Sequence, residues 1–397
     1  MKGIIIGGGI GGLTTALALQ QRGIDFEVYE QAPDIREVGA GLVMAPNALQ
    51  VLNRLGLAQD VQQQGWSLAD SYITEASGRV IQRVNVGALV NTYSFGIVSI
   101  HRGRLQKILL AALPAQRIHT NKRLTTISDT SRQVRVTFAD GTVAEGDFLI
   151  GADGIRSAVR RNLLGEQPTR YSGQTCWRAL VDFPLTDDQQ TTAKEYWGRE
   201  SGLRFGLVPT GPQEVYVYTT APAPTGQTDK PGDAIPTLLR LFRNFDPLVT
   251  TVIEHMQEHR ILRADLYDLM TLPTWTQGRV ALLGDAAHAT TPNLGQGANQ
   301  AIEDAYAIAA CLASHNVPEQ AFAQYEAIRK AKADKVVVTS RNIGKAVNLP
   351  AWLKPLVFAA MRALPPSVSK RQFDEIFNVE YLKTIVTSSQ YHPAPVE

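Results

Sequence analysis

The chain has 397 residues, 44% hydrophobic and 19% charged, with a net charge of +2, a composition that implies two to three globular domains and no nucleic-acid partner. Two cysteines, Cys176 and Cys311, are too few for a disulfide framework or a metal cluster and fit a reducing cytoplasm. Met1-Lys2-Gly3 leaves no room for a signal peptide, and no apolar stretch reaches the roughly 18 residues of a membrane span.

Ile4-Ile5-Ile6 reads as a short buried strand, Gly7-Gly8-Gly9-Ile10-Gly11-Gly12 as a turn, residues 13–21 as a helix, and Phe26-Glu27-Val28-Tyr29-Glu30 as a second strand. Gly7, Gly9 and Gly12 satisfy G-x-G-x-x-G in the setting that gives the motif its mechanism. Gly7 permits the tight turn, Gly9 lets a pyrophosphate approach the backbone, and Gly12 lets helix and strand pack closely. The helix N-terminus then presents free N–H groups to the phosphates. Glu30 ends the second strand, where a carboxylate accepts both hydroxyls of an adenosine ribose and repels a 2′-phosphate. The unit predicts a tightly held adenine dinucleotide, NAD or FAD.

Further along, residues 31–38 read as a polar loop, and Gly39-Ala40-Gly41 allows a flat ligand close to the backbone. Pro46-Asn47 starts a helix that stops at Gly56, and residues 71–98 alternate like strands with turns at Gly78 and Gly87. Residues 102–113 return to helical spacing, with Arg102, Gln106 and Leu109 a turn apart. Asp140-Gly141 predicts a hairpin between 134–138 and 148–150. From 171 to 262 strand-like runs alternate with Pro and Gly turns, followed by a loop at 222–232 and one helix over 233–255. Residues 279–283 read as a buried strand, Gly284-Asp285 follows, and a long helix spans 297–313. The apolar stretch 349–364 is read as packing against the protein body rather than lying on a membrane, and residues from 387 onward carry no pattern.

Three separated motifs occur in order: the N-terminal glycine turn, Gly151-Ala152-Asp153-Gly154-Ile155-Arg156-Ser157, and Gly284-Asp285-Ala286-Ala287-His288 leading through Pro292 to Gly295-Gln296-Gly297. Together they resemble the single-component FAD-dependent aromatic hydroxylases, the para-hydroxybenzoate hydroxylase-like group with its salicylate and urate hydroxylases. The resemblance implies an α/β fold: a Rossmann-like, GR2-type FAD-binding domain (1–70, 98–170 and 266–345), an inserted mixed β-sheet substrate domain (71–97 and 171–265) and a C-terminal helical segment (346–397). It implies FAD as cofactor, with Asp285 on the ribityl chain, Arg102 and Gln106 reaching the FAD, and Pro292, Gly295 and Gly297 opening a helix toward the flavin. Arg102 as cover of a surface helix is the competing reading. Asp153 is either a cofactor ligand or a structural turn, and His288 reads as a structural hydrogen-bonding residue.

The implied activity is monooxygenation of a small aromatic or heteroaromatic compound through a C4a-hydroperoxyflavin, with NADH or NADPH as transient reductant and O2 as co-substrate. No second G-x-G-x-x-G is present, so the NAD(P)H visits rather than stays. In the inserted sheet, pairing Pro209 with Gln213 puts Arg204 opposite Tyr218 and Gly206 opposite Tyr216 on one face. Gly206 then leaves space, and Arg204 and the tyrosines grip an anionic planar substrate, unless these polar groups simply line a solvent face. Arg204 and Tyr216 resemble the urate-hydroxylating branch, although Asn293 stands where that branch has an aspartate. Tyr216 and a substrate ionised beside Arg204 are the two openings for general-base chemistry. The rivals are a flavin reductase or halogenase of the same fold, and a non-catalytic FAD-containing protein that binds a small aromatic. A monomer and a dimer fit the sequence equally.

Overall fold

A computed structural model describes residues 1–35, 40–130 and 132–386. The part of the predicted loop at 36–38, the ligand approach assigned to Gly39, and the patternless tail from 387 lie outside the described residues.

The first strand, Lys2–Ile6, lies between Asp25–Tyr29 and Phe148–Gly151 and is parallel to both. A central parallel strand is covered on both faces, which is why Ile4, Ile5 and Ile6 run without polar alternation. Val280–Leu282 adds a further parallel strand beside Phe148–Gly151, and the six-stranded sheet ends at 118–119 on one side and 276–277 on the other. The helix Ile10–Gln20 packs on this sheet, and Gly297–Ser314 packs against that helix. Pro46–Arg54 and Arg102–Ala111 form the other predicted helices of this body.

The Asp140-Gly141 turn closes a hairpin, but its second strand is Val143–Gly146. Phe148–Gly151 leaves that hairpin and joins the main sheet beside the first strand. An all-apolar strand fits a sheet covered on both sides better than a half-exposed hairpin.

The second body is a seven-stranded mixed sheet in the order 262–269, 169–182, 214–222, 204–211, 192–197, 70–75, 80–85. Its one parallel pair joins Thr192–Trp197 to Asp70–Glu75. Trp177, Ala179, Phe205, Leu207, Val215 and Val217 face one side and pack on Leu238, Phe242, Val249 and Ile253. Each such buried side chain contributes about 1.5–3 kcal/mol, and Phe242→Ala would cost about 3–5 kcal/mol. Those partners lie on two helices, Ala234–Phe242 and Pro247–Glu254, where the sequence reads as one. Pro247 cannot continue a helix, and Asp246 caps the second through its bond from the Leu248 N–H.

The Arg204–Gly211 and Glu214–Pro222 strands correct the predicted register by two residues. Arg204 faces Thr220, Gly206 faces Tyr218 and Val208 faces Tyr216. The turn is Pro212-Gln213, and an irregularity between Pro209 and Gly211 absorbs the extra residue. A shift of two preserves side-chain parity, so Arg204, Gly206, Tyr216 and Tyr218 still share a face.

At the C-terminal end, Lys354–Arg362 packs Phe358 against Trp197 and Val347. Trp352 and Leu356 on the same stretch remain exposed. No helix of the described residues is long and apolar enough to cross a membrane.

Candidate functional site

The glycine turn is built as its spacing requires. Gly7 has φ +111°, and a Cβ there would lie 2.4 Å from the Ala152 carbonyl oxygen. A Cβ on Gly12 would lie 1.9 Å from the Gly7 carbonyl oxygen, whereas one on Gly9 meets nothing within 4 Å. The loop is thus packed shut below and open above, the shape a pyrophosphate needs. Glu30 braces it: Gly8 N–H donates to Glu30 Oε2 at 2.6 Å and Ala32 N–H to Oε1 at 2.8 Å. Gln106 Nε2 reaches the Gly8 carbonyl at 3.3 Å, which ties the Arg102–Ala111 helix to the loop. Arg102 on that helix is exposed, with no ion pair among the described residues.

Asp285 follows the buried Val280–Leu282 strand and opens to the same cleft. Its side chain is exposed to the cleft, yet the protein crowded around it partly desolvates the carboxyl and raises it above the ordinary range while His288 and Arg102 pull the other way. It accepts no hydrogen bond from the described residues, so its oxygens are available to ligand hydroxyls. Pro292–Leu294 makes a short turn, Gly295 takes φ +62°, and the long helix begins at Gly297. A Cβ on Gly297 would lie 3.8 Å from Asp285 Oδ1, so acid and helix N-terminus adjoin. An open glycine loop, a carboxylate and an arginine that have no hydrogen-bonded partner among the described residues, and a helix N-terminus fit FAD.

Asp153 is placed elsewhere. Its Oδ1 accepts from Ser157 Oγ at 2.5 Å, and Oδ2 accepts from the Ala158 and Val159 N–H groups at 2.7 and 3.0 Å. The carboxylate caps the Ala158–Leu164 helix, so the turn reading of Asp153 accounts for its geometry. His288 is likewise structural: it is buried, its Nε2 lies 2.5 Å from Asp304 Oδ2, and it packs on Trp275.

Beneath the long helix lies a charged network that sequence reasoning missed. Arg329 Nε donates to Asp304 Oδ1 at 2.7 Å, and Nη1 donates to Glu303 Oε2 at 2.7 Å. All three side chains are fully buried. Lys332 Nζ and the Tyr381 hydroxyl also reach Glu303 Oε2, at 2.8 and 2.6 Å. Against the upward effect of burial, Arg329, Lys332 and Tyr381 hold Glu303 below the usual carboxylate range, and His288 with Arg329 holds Asp304 at about 2. The only sequence signal was the run of polar residues on one side of the helix, which reads equally well as a solvated face.

On the sheet, the face carrying Arg204 and the tyrosines turns toward the first body. Arg204 is 1% exposed. Its Nη2 donates to Asn293 Oδ1 at 2.5 Å and its Nε to Thr220 Oγ1 at 3.3 Å, while Nη1 lies 3.7 Å from Glu195 Oε1. Glu195 also accepts from the Tyr218 hydroxyl at 2.5 Å and from the Trp197 indole N–H. Behind Arg204, the buried Lys354 ammonium donates to the Val347 carbonyl at 2.6 Å, and burial followed by Arg204 pulls it down to about 8. The space expected at Gly206 is filled by the Tyr218 ring, 2.1 Å from where a Cβ would stand. The Tyr216 ring packs on Gly41 in the same manner, at 2.5 Å. Burial raises the Tyr216 hydroxyl pKa, so at neutral pH it is a proton donor to a ligand and not a base.

Arg178 is the other residue that the sequence reading did not single out. It pairs with Tyr218 across the sheet, shares its face, and is half-buried. Cys176 and then Tyr216 raise its guanidinium pKa, yet no carboxylate bonds to it among the described residues. Leu180, Val208, Tyr216, Phe373 and Phe377 belong to an adjoining apolar cluster.

A two-body flavoprotein fold with a dinucleotide loop, an acid beside a helix start and an aromatic-lined sheet face turned toward it defines a class. Residues 1–340 match the FAD binding domain family, and the chain belongs to it. Over 342 residues it is 39% identical to the aurachin C monooxygenase/isomerase of Stigmatella aurantiaca, covering 86% of this chain and 88% of that protein. It is 32% identical over 385 residues to the 2-heptyl-3-hydroxy-4(1H)-quinolone synthase of Pseudomonas aeruginosa, covering 95% and 98%. The Klebsiella pneumoniae HpxO structure with FAD and uric acid superimposes with a TM-score of 0.86 at 28% identity, covering 98% of this chain and 97% of that one. The protein is an FAD-dependent monooxygenase of the aromatic hydroxylase type.

Proposed function

We propose that this monooxygenase uses NADH or NADPH to hydroxylate a heteroaromatic ring that carries an exocyclic oxygen, with a 4-quinolone bearing an apolar substituent as the favoured substrate. The observation that carries the reading is the contrast between the lid's two arginines. Arg204 is spent on Glu195, Asn293 and Thr220, whereas Arg178 meets the Cys176 sulfur and no oxygen acceptor among the described residues. A half-buried guanidinium whose neighbour is a weakly accepting sulfur leaves hydrogen bonds unmade that a ligand oxygen can supply. Arg178 and the protonated Tyr216 therefore donate to the ring's exocyclic oxygen, and the cluster around Val208 and Phe377 receives the apolar substituent. Arg204 is a positioning residue that fastens the lid to Asn293. The quinolone-acting relative supports the ring class.

Gly7, Gly9, Gly12 and Glu30 hold the adenosine end of the FAD. Arg102 meets its phosphates, Asp285 its ribityl hydroxyls, and Pro292, Gly295 and Gly297 present the helix N-terminus to the flavin. Gln106 acts by bracing the loop. When bound, FAD accepts the hydride and supplies the oxygen-activating chemistry. The protein orients the ring, excludes water with the lid, and places a positive helix end where reduced flavin carries negative charge.

The test is NADH and NADPH consumption in air with 2-alkyl-4-quinolones, urate, salicylate and 6-hydroxynicotinate, with mass analysis of products. Quinolone-stimulated consumption giving a product one oxygen heavier is expected, and Arg178→Gln should raise the KM for that ring about tenfold with FAD content unchanged. Stimulation by urate alone, or an unaltered KM in Arg178→Gln, would refute the reading.

A further inference from the structure

A second polar cleft adjoins the lid and shares Asn293 with it. It is open to solvent on one side with a cavity volume of about 40 Å³, and its lining includes Arg170, Arg341, Lys345, Gln174, Thr291 and Asn293. Arg170 grips Asp268 with both arms, Nε to Oδ1 at 2.9 Å and Nη2 to Oδ2 at 2.5 Å. Arg341 binds the same carboxylate from its other side, at 3.1 and 3.3 Å. Asp268 is fully buried, so this single acid is shared between two guanidiniums. Lys345 stands four residues beyond Arg341 on the Pro318–Val347 helix, on the same face, exposed and with no ion pair among the described residues. Two guanidiniums and an ammonium thus meet one carboxylate, which leaves two positive charges at a cleft otherwise lined by hydroxyl and amide groups.

We propose that this cleft binds the diphosphate of the visiting nicotinamide dinucleotide. The proposal rests on the reading of the protein as an NAD(P)H-dependent enzyme. A doubly charged diphosphate matches the excess, and guanidinium forks are suited to phosphate oxygens. The cleft is small and open on one side, so it seats phosphate oxygens while the rest of the dinucleotide lies outside it. It is separate from the FAD phosphate site, since none of its residues belongs to the glycine loop or to the Arg102–Ala111 helix. It is nevertheless next to the flavin end of the molecule. Thr291 and Asn293 flank Pro292, and Asn293 is the residue to which Arg204 of the lid is tied. The two spaces share that wall, so a donor anchored by its phosphates in the cleft can lay its nicotinamide across Asn293 toward the ring. This supplies the docking point that a chain without a second dinucleotide fold requires.

The experiment compares wild type with Lys345→Glu, an exposed change that leaves the Asp268 pairs intact. KM for NADH and for NADPH should each rise about fivefold or more. FAD content, kcat and the KM for the aromatic should stay unchanged. Inorganic pyrophosphate should inhibit wild type competitively against the donor and inhibit the variant far less. A rise confined to NADPH would put the 2′-phosphate in the cleft and overturn the diphosphate assignment, and unchanged KM values for both donors would overturn the site. If no aromatic supports donor oxidation, the functional reading fails on its own. Calorimetric titration of pyrophosphate into both proteins then decides the cleft, with equal affinities or no binding counting against it.

Discussion

Replacing Glu195 by glutamine tests how the lid sets its charge. The substitution preserves shape and an acceptor for Tyr218 or Trp197 but removes the one carboxylate near the buried Arg204. A pair 3.7 Å apart at an effective dielectric of about 20 interacts by about 4 kcal/mol. Asn293 and Thr220 still accept from Arg204, and Glu195 retains 18% exposure, so the net cost should be nearer 3 kcal/mol. Unfolding entropy of about 2.1 cal/mol/K per residue over 397 residues gives about 0.8 kcal/mol/K, hence an apparent Tm lower by about 4 °C. The freed charge should also change selectivity. Salicylate should gain about tenfold in affinity relative to its neutral amide, both followed by perturbation of the flavin absorbance. An unchanged ratio alongside a lowered Tm would mean that Arg204 does not act on the ligand space. If neither quantity moves, the pair is not coupled at all.

Three further outcomes follow from the same geometry. Arg329→Met strands Glu303 and Asp304, so it should cost about 3–5 kcal/mol at neutral pH. Both carboxyls are depressed in the folded protein, so their stabilisation is full above the unfolded value near 4 and is lost as pH falls toward about 2. The gap between wild type and variant in denaturant midpoint should therefore narrow on acidification, and a constant gap would contradict the assignment. Asp285→Ala should give a folded protein with FAD affinity reduced at least about tenfold; normal FAD content in the purified variant would remove its assigned role. Gly206→Ala puts a methyl 2.1 Å from the Tyr218 ring and should cost about 1–3 kcal/mol while loosening the Tyr218–Glu195 bond. Aromatic-stimulated donor oxidation should fall with FAD retained, and full activity would show that the lid tolerates a displaced ring.

Much of the cofactor side was legible because its signals are local. Gly7, Gly9 and Gly12 lie within one turn, and Asp285 follows directly from a buried strand, so spacing alone predicts their placement. The lid was legible only in parity. Arg204, Gly206, Tyr216 and Tyr218 share a face under either register, but the Pro212-Gln213 turn and the neighbouring irregularity decide which residues oppose one another. Arg329 could not be paired from sequence, since its acids lie 25 and 26 residues earlier and Tyr381 lies 52 residues later. Arg178 escaped notice for the opposite reason. A single arginine in an alternating strand reads as a solvent-facing residue until the structure turns that face inward.

The buried network also bears on the flavin end of the long helix. Glu303 and Asp304 would otherwise put two negative charges into the body of the helix whose N-terminus meets the cofactor cleft. Arg329 and Lys332 offset both. With the interior balanced, the free N–H groups at Gly297 keep their positive end uncancelled toward the cleft. Arg102 adds an exposed cation near Asp285, and Asp285, its carboxyl raised by desolvation, opposes them least when it is hydrogen-bonded to ligand hydroxyls. On the proposed placement of the flavin, the charges that would favour its reduced, anionic form depend on a salt bridge buried against the body of that helix. Arg329→Met should accordingly shift the flavin midpoint potential to more negative values even where enough stability remains to keep FAD bound.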